Sequence, residues 1–165
     1  MEKLNILTWD DGSASSNDIV VHKCEVEDFK TGSQLIVHQN QVAVFFQNGK
    51  ATGMLGAGRH TLTTSNTFFL NKLIKKATGG EEIFHSEVYF VNKVHMTDLG
   101  WGTKAPVMVT TTVFNTIQSF HLRANGSFGI HVDSQNEGVM KLLEDLVGTR
   151  DEYTKKDVEV LLKGK

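Results

Sequence analysis

Three consecutive pieces, Ser33-Gln-Leu-Ile-Val-His38, Gln41-Val-Ala-Val-Phe-Phe-Gln47 and Asn48-Gly49-Lys50, decide how this chain folds. The first two are rich in β-branched and aromatic side chains, which pack well on a pleated surface. They run into Asn-Gly, the dipeptide that accepts positive φ at both central positions of a type I′ turn, so the chain reverses at Asn48-Gly49. Outward from there, Gly53, Gly56 and Gly58 follow within a few residues, and His60 to Thr64 resumes an alternating Thr/Leu pattern. That order reads as an irregular loop feeding another strand. Glu87 to Lys93 and Met108 to Asn115 carry Val, Tyr, Phe and Thr and read as further strands. The chain has one proline and 15 glycines, so its turns fall to Gly, Asn and Asp.

The segment Gln118 to Asp133 predicts a hairpin of defined register. A three-residue loop, Asn125-Gly126-Ser127, pairs Ala124 with Phe128, Leu122 with Ile130 and Phe120 with Val132, placing every apolar side chain on one face. The outer face then sets His121 opposite His131 and Ser119 opposite Asp133. Helical spacing occurs at Phe69, Leu70, Leu73, Ile74 and Ala77, again from Val139 to Val147, and again at Val158, Leu161 and Leu162. The second helix ends near Gly148, a C′ candidate, and Thr154 with Asp157 forms a capping-box variant for the third. The third helix has about two turns before the sequence stops, too few to be stable alone. We therefore expect a longer chain, truncated here at the C-terminal end of the domain. Residues 1–18 read as an arm and polar loop, and residues 19–165 as the domain.

Composition narrows the function classes. With 165 residues, 39% of them hydrophobic, the chain is long enough to bury a core as one domain without staples. A net charge of −2 and a sequence pI near 6.4 lack the basic footprint that phosphate neutralisation demands, so no nucleic-acid partner is expected. The longest apolar runs, such as Val42 to Phe46 and Val88 to Val91, fall far below the 18 or so residues of a spanning helix. Met1 to Trp9 has no secretory h-region, and Cys24 is the single cysteine, so a reducing cytoplasmic setting is expected.

Chemistry is sparse. Cys24 lies in an extended stretch between Lys23 and Glu25, with no helix N-terminus nearby to generate a thiolate. The seven histidines, at 22, 38, 60, 85, 95, 121 and 131, show no metal-ligand spacing. Gly53 to Arg59 is glycine-rich but lacks the Gly-Lys-Ser/Thr ending of a phosphate loop, and turn formation explains it. Glu25, Glu27 and Asp28, and Glu81 with Glu82, bracket no strand end as an acid/base pair would. Asn125-Gly126-Ser127 matches a glycosylation sequon, but its turn role already accounts for it. No catalytic residue, cofactor, metal or small-molecule substrate is expected.

The order of several signals is more informative than any one of them. Thr31-Gly-Ser-Gln-Leu-Ile-Val37, Gln41-Val-Ala-Val-Phe-Phe46, Asn48-Gly-Lys50, Leu55-Gly-Ala-Gly-Arg-His60, Thr63, Thr64, Asn66, Glu87-Val-Tyr-Phe-Val-Asn92 and Trp101-Gly-Thr103 follow one another. This series resembles the SPFH superfamily of stomatin, prohibitin, flotillin and HflK/HflC-like proteins, and within it the bacterial branch called virion core protein-like. The likeness covers residues 19 to 162. The positions that match its signature are Gly32, Ser33, Gln34, Gln41, Asn48, Gly49, Gly56, Gly58, Asn66, Trp101, Gly102 and Thr103. One position departs: relatives commonly carry Pro between the loop glycines, and this chain has Ala57, which frees φ there.

The resemblance implies an α+β fold: a strand-rich, mixed α/β SPFH-like domain with a largely antiparallel curved sheet, a few helices, and two consecutive helices at the C-terminus. It also implies a non-enzymatic scaffold that forms homo-oligomers and organises partner proteins at the cytosolic face of a membrane. The chain carries no N-terminal apolar hairpin or acylated cysteine pair, and the arm side chains Leu4, Ile6, Leu7 and Trp9 are too few for firm interfacial binding. A peripheral position at the inner face of the cell membrane, reached through a protein partner, is the resulting expectation. A soluble β-rich ligand-binding module and a phage or virion structural protein are the alternatives.

Overall fold

A computed structural model describes residues 5–10, 18–65, 69–70, 74–76, 82–93, 95–132, 136–148 and 150–163. In chain order, the first strands are β1 (Ile6–Thr8), β2 (Ile19–Lys23), β3 (Asp28–Lys30), β4 (Gln34–Val37) and β5 (Gln41–Gln47). They are followed by β6 (Lys50–Leu55), β7 (Gly58–Thr61), β8 (Ile74–Lys76), β9 (Glu82–His85) and β10 (Glu87–Asn92). Then come β11 (His95–Gly102), β12 (Val107–Val113), β13 (Thr116–Leu122) and β14 (Asn125–His131), and finally α1 (Asn136–Leu146), β15 (Glu152–Thr154) and α2 (Lys155–Lys163). The fold is α+β, rich in strands, with mostly antiparallel sheets and two helices near the C-terminal end of the described residues. It divides into two compact units, one formed by Met1–Val94 with Val132–Lys165 and one by His95–His131.

In the first unit, a five-stranded antiparallel sheet runs in the order β15-β2-β10-β5-β6. Its centre is the ladder between β10 and β5, registered from Glu87 opposite Phe46 to Asn92 opposite Gln41. Gln41 to Phe46 and Val88 to Asn92 are all buried. That explains why both strands read as unbroken apolar runs: with both faces covered, neither needs a polar alternate. Ala43, Phe45, Val88 and Phe90 point into a core shared with Leu7, Phe29, Leu35, Leu62 and Phe84. Phe29 fills that core edge-on to Phe45 at 6.2 Å between ring centroids and against Phe84 at 5.6 Å. On the opposite face, Phe46 meets Tyr89 edge-on at 5.2 Å. α1 lies against β6, and α2 against β15.

Two three-stranded sheets complete this unit, β1-β4-β7 and β3-β9-β8. Ile6–Thr8 pairs in parallel with β4, and Leu7 and Trp9 lie buried in the core. Residues 11–17 of the polar loop lie outside the described residues. The β5–β6 hairpin turns where the dipeptide places it: Gln47 pairs with Lys50, and Asn48 and Gly49 take φ of 53° and 75°. Gly53 has a separate role, since a Cβ there would come within 2.3 Å of the Phe69 ring, which tilts against Phe45 at 5.0 Å.

Three sequence expectations are corrected. The helical spacing from Phe69 to Ala77 does not carry a helix through Ile74, because Ile74–Lys76 forms a strand with Ile74 opposite Phe84. A ladder with β9 replaces the local hydrogen bonds a helix would have used, and Leu73 and Ala77 lie outside the described residues. The hairpin centred on Asn125 to Ser127 does not form either. β13 pairs with β12, with Ser119 opposite Thr110 and His121 opposite Met108, while β14 pairs with β11, with His95 opposite His131. The actual reversal is at Phe114-Asn115, both in the left-handed region at φ of 50° and 58°; Asp133 lies outside the described residues. Finally, Gly148 is not in the left-handed conformation of a C′ residue; its N–H donates instead to the Tyr153 hydroxyl at 2.5 Å.

The start of α2 follows its sequence. The Thr154 N–H donates to Asp157 Oδ2 at 2.7 Å, the hydroxyl of Thr154 donates to the same oxygen at 2.9 Å, and Arg150 reaches Oδ1 at 2.8 Å. The backbone bond from Thr154, with the Arg150 guanidinium beside it, holds the Asp157 carboxyl below its ordinary value of 3.8. A carboxyl held low stabilises the fold above its unfolded pKa, and that contribution is lost as pH falls through the folded one. Asp157→Ala should therefore lower stability by about 1 kcal/mol at neutral pH, the usual worth of a helix cap. In urea titrations the two proteins should converge once the pH drops well below 3.8. Gly53→Ala forces the Phe69 ring aside and should destabilise by roughly 1–3 kcal/mol, measured in the same titrations at neutral pH.

Candidate functional site

The signature positions fall into separate groups, and they do not converge on one pocket. Gly32, at φ 92°, donates its N–H to the Leu62 carbonyl at 2.9 Å, and the buried Ser33 accepts the Leu62 N–H at the same distance. Gln34 donates its backbone N–H to Asn5 and its Nε2 to Thr61 Oγ1, both at 3.0 Å. Gln41, only 3% exposed, donates Nε2 to the Trp9 carbonyl at 3.3 Å and accepts the His38 N–H on Oε1 at 3.4 Å. These four residues tie β1, β4, β5 and the end of β7 together. Asn48 and Gly49 form the β5–β6 turn. Gly56 accepts a bond from His60 Nε2 at 2.8 Å, and Gly58 takes φ of 136°. Asn66 lies outside the described residues.

Trp101, Gly102 and Thr103 belong to the second unit. The Thr103 N–H donates to the Ala124 carbonyl at 2.9 Å, and the Ala124 N–H returns to Thr103 Oγ1 at 3.3 Å, closing the β11–β14 ribbon. Gly102 sits opposite Asn125. Gly126, opposite Trp101, is a seat for the indole and not a turn residue: a Cβ there would lie 2.7 Å from Trp101 Nε1. No turn pattern in the sequence signals that role.

Two open clefts lie in the first unit. The larger, about 630 Å³, is lined by residues that include His22, Lys23, Cys24, Glu27 and Glu152. Its two basic side chains are engaged: Lys23 Nζ bonds Glu27 at 2.8 Å and Glu87 at 2.7 Å, and His22 Nδ1 donates to Glu152 at 3.0 Å while stacking on Trp9. Those carboxylates raise the Lys23 pKa, so the amine stays charged. Burial pushes the Cys24 thiol up and keeps it protonated, and burial likewise pushes the Tyr89 phenol up to about 12. Neither group supplies a nucleophile or a base near neutral pH. The second cleft, near 320 Å³, runs past Gly49 and His85, where His85 Nδ1 bonds Asp28 at 2.7 Å. Among the described residues no group of three or more His, Cys, Asp or Glu side chains is placed to hold a metal ion. Glu81 lies outside the described residues.

The histidine pairing differs from expectation. His131 stacks on His95, with centroids 4.2 Å apart and rings 16° from parallel, and His121 stands across from Met108.

The most unusual surface lies on the β12–β13 ribbon. Val107, Met108, Val109, Ile117, Phe120 and Leu122 are all exposed, and Phe114 at the tip is 98% exposed. Val107 faces Leu122 and Val109 faces Phe120 across the ladder, so these four share one side of the ribbon. Single exposed apolar residues are ordinary, but a contiguous set marks an interaction surface. Trp101, in the same unit, is also exposed. The sequence signals that could have located this surface are the β-branched run from Val109 to Val113 and the absence of charge around it.

The chain is 27% identical over 156 residues to the uncharacterized protein YdjI of Bacillus subtilis (strain 168), a match spanning 94% of this chain and 45% of the relative. It thus covers about half the length of the curated relative it matches. No solved structure matches it. The model of the SPFH domain-Band 7 family matches residues 21–165, and the chain belongs to that family.

Proposed function

We propose that this chain is a non-enzymatic scaffold domain that self-assembles and organises partner proteins at the cytosolic face of a membrane. The observation that carries this reading is the β12–β13 ribbon, an exposed two-stranded element with large hydrophobic side chains open to solvent. Family membership supports it, since SPFH domains act at the level of the family as membrane-associated scaffolds and generally catalyse no reaction. In the larger cleft Lys23 is held by Glu27 and Glu87 and His22 by Glu152, so these two side chains are already engaged within the protein. A binding module would need convergent polar groups with free hydrogen-bonding capacity.

The membrane association is peripheral and depends on a protein partner. No helix among the described residues is long and apolar enough to cross a membrane. A net charge of −2 gives no attraction to anionic lipid.

Light scattering over a concentration series should give a mass that rises above that of one chain, and flotation with anionic vesicles should leave the purified chain unbound. A single-chain mass at every concentration contradicts the scaffold reading, and direct vesicle binding contradicts recruitment through a protein.

A further inference from the structure

We infer that the imidazole of His22 is a coupler: it ties the N-terminal arm, residues 5–10, to the C-terminal segment of β15 and α2, so that loosening either one loosens the other. This coupling goes beyond the scaffold reading and does not depend on assembly. One ring has two partners drawn from opposite ends of the chain. Its face lies against the Trp9 indole, with centroids 5.0 Å apart and planes 13° from parallel. Its edge meets Glu152, with Nδ1 to Oε1 at 3.0 Å. A carboxylate only accepts, so Nδ1 carries the proton of this bond.

Both segments are short edge elements. β1 and β15 have three residues each, and among the described residues β1 pairs with β4 alone and β15 with β2 alone. The β15 ladder also shifts register between Tyr153 and Thr154. Edge segments with so few ladder bonds belong to the low-stability end of a fold and open locally, so side-chain ties decide how firmly they dock. The arm is tied by the Asn5 amide to the Asp28 carbonyl at 3.2 Å, by the Gln41 amide to the Trp9 carbonyl at 3.3 Å, and by the stack on His22. The C-terminal segment is tied by the Lys155–Asp18 pair at 3.3 Å and by the Glu152–His22 bond.

The backbone of His22 is fixed by the central sheet, where it stands opposite Phe90 on β10 and opposite Glu152 on β15. The ring is not fixed by that backbone, because the last torsion of a histidine side chain is broad. Its two contacts set it. Glu152 holds the ring edge and so the ring plane, and a near-parallel stack on Trp9 needs that plane. Without the indole the ring is free to turn, and Nδ1 then leaves the oxygen. Each partner therefore strengthens the other, and such a coupling is reciprocal. An aromatic ring without Nδ1 would support the arm but carry nothing to β15. The contact is within reach of solvent: the Glu152 side chain is 52% exposed and lines the larger cleft together with His22. A partner that engages Glu152 there loosens the arm, and one that captures the arm loosens β15.

The test is a double-mutant cycle on the full chain, read by hydrogen exchange at neutral pH. Glu152→Ala should speed exchange of the Ile6–Thr8 amides by about two- to fivefold, the worth of one partly exposed charged contact, although the bond it removes is to His22 and not to the arm. In a His22→Phe background, which keeps a ring for Trp9 but has no Nδ1, the same substitution should leave Ile6–Thr8 unchanged. His22→Asn, which keeps an N–H near the place of Nδ1 but has no ring, is a second background and should abolish the response equally. Slow exchange of the buried Gln41–Gln47 strand in the same experiment reports that each variant is folded. Unchanged exchange of Ile6–Thr8 in the Glu152→Ala chain overturns the inference. So does a response that persists undiminished in either His22 background, since the two segments then communicate by a route other than this ring.

Discussion

The antiparallel ladder between β5 and β10 is the constraint on which the rest of the structure depends. Its six registered pairs put Ala43, Phe45, Val88 and Phe90 on one face and Val42, Val44, Phe46, Tyr89 and Val91 on the other, all of them buried. A strand with two buried faces has no polar alternate to surrender, so slipping the register by one residue would exchange two complete sets of packed side chains. β2 and β6 extend this ladder on its two sides. The turn at Asn48-Gly49 fixes where β6 begins, and the Gln41 amide bonds the backbone at Trp9, next to β1. Fully burying a side chain of this size stabilises by about 1.5–3 kcal/mol. Among the signature residues of the first unit, Gln41 begins this ladder and Asn48 and Gly49 turn it into β6.

The parts legible in the sequence are those governed by local chemistry. Gln41 to Gln47 forms a strand over the range its composition indicates, because the run is apolar on both faces and ends on a turn dipeptide with one favoured conformation. The Thr154 and Asp157 cap is equally local, needing only three residues of separation. The errors come from non-local partners. Ile74 sits in an apolar pattern with helical spacing, yet its partner is Phe84 on β9, and no local spacing encodes that choice. The register proposed around Asn125 assumed that β13 and β14 pair with each other and share one buried face. β13 pairs with β12 instead, and its side chains are exposed on both faces. The reversal that joins β12 to β13 uses Phe114 at positive φ, a position where a bulky residue is an outlier and sequence gives no warning.

The candidate surface was missed in the sequence. Nothing in a motif search marks Ala105 to Leu122, but the segment lacks any charged side chain in a protein where 22% of residues are charged. That absence has a physical meaning only once the strand pairing is known, because it then describes two unprotected edges. The family signature gave the correct family, and its residues Trp101 to Thr103 lie in the unit that carries this ribbon. There it marks the seat of an indole on Gly126 and a threonine clasp on Ala124. The fold thus sets a doubly buried sheet in the first unit beside its opposite in the second, a two-stranded ribbon with large apolar side chains open to solvent.

Hydrogen exchange followed at increasing protein concentration tests this division most directly. Amides of residues 41–47 and 87–92 should be protected at every concentration, while those of 107–122 should exchange freely in dilute protein and become protected as the concentration rises. Free exchange over 107–122 at every concentration, with protection appearing elsewhere in the chain as it assembles, would contradict the account.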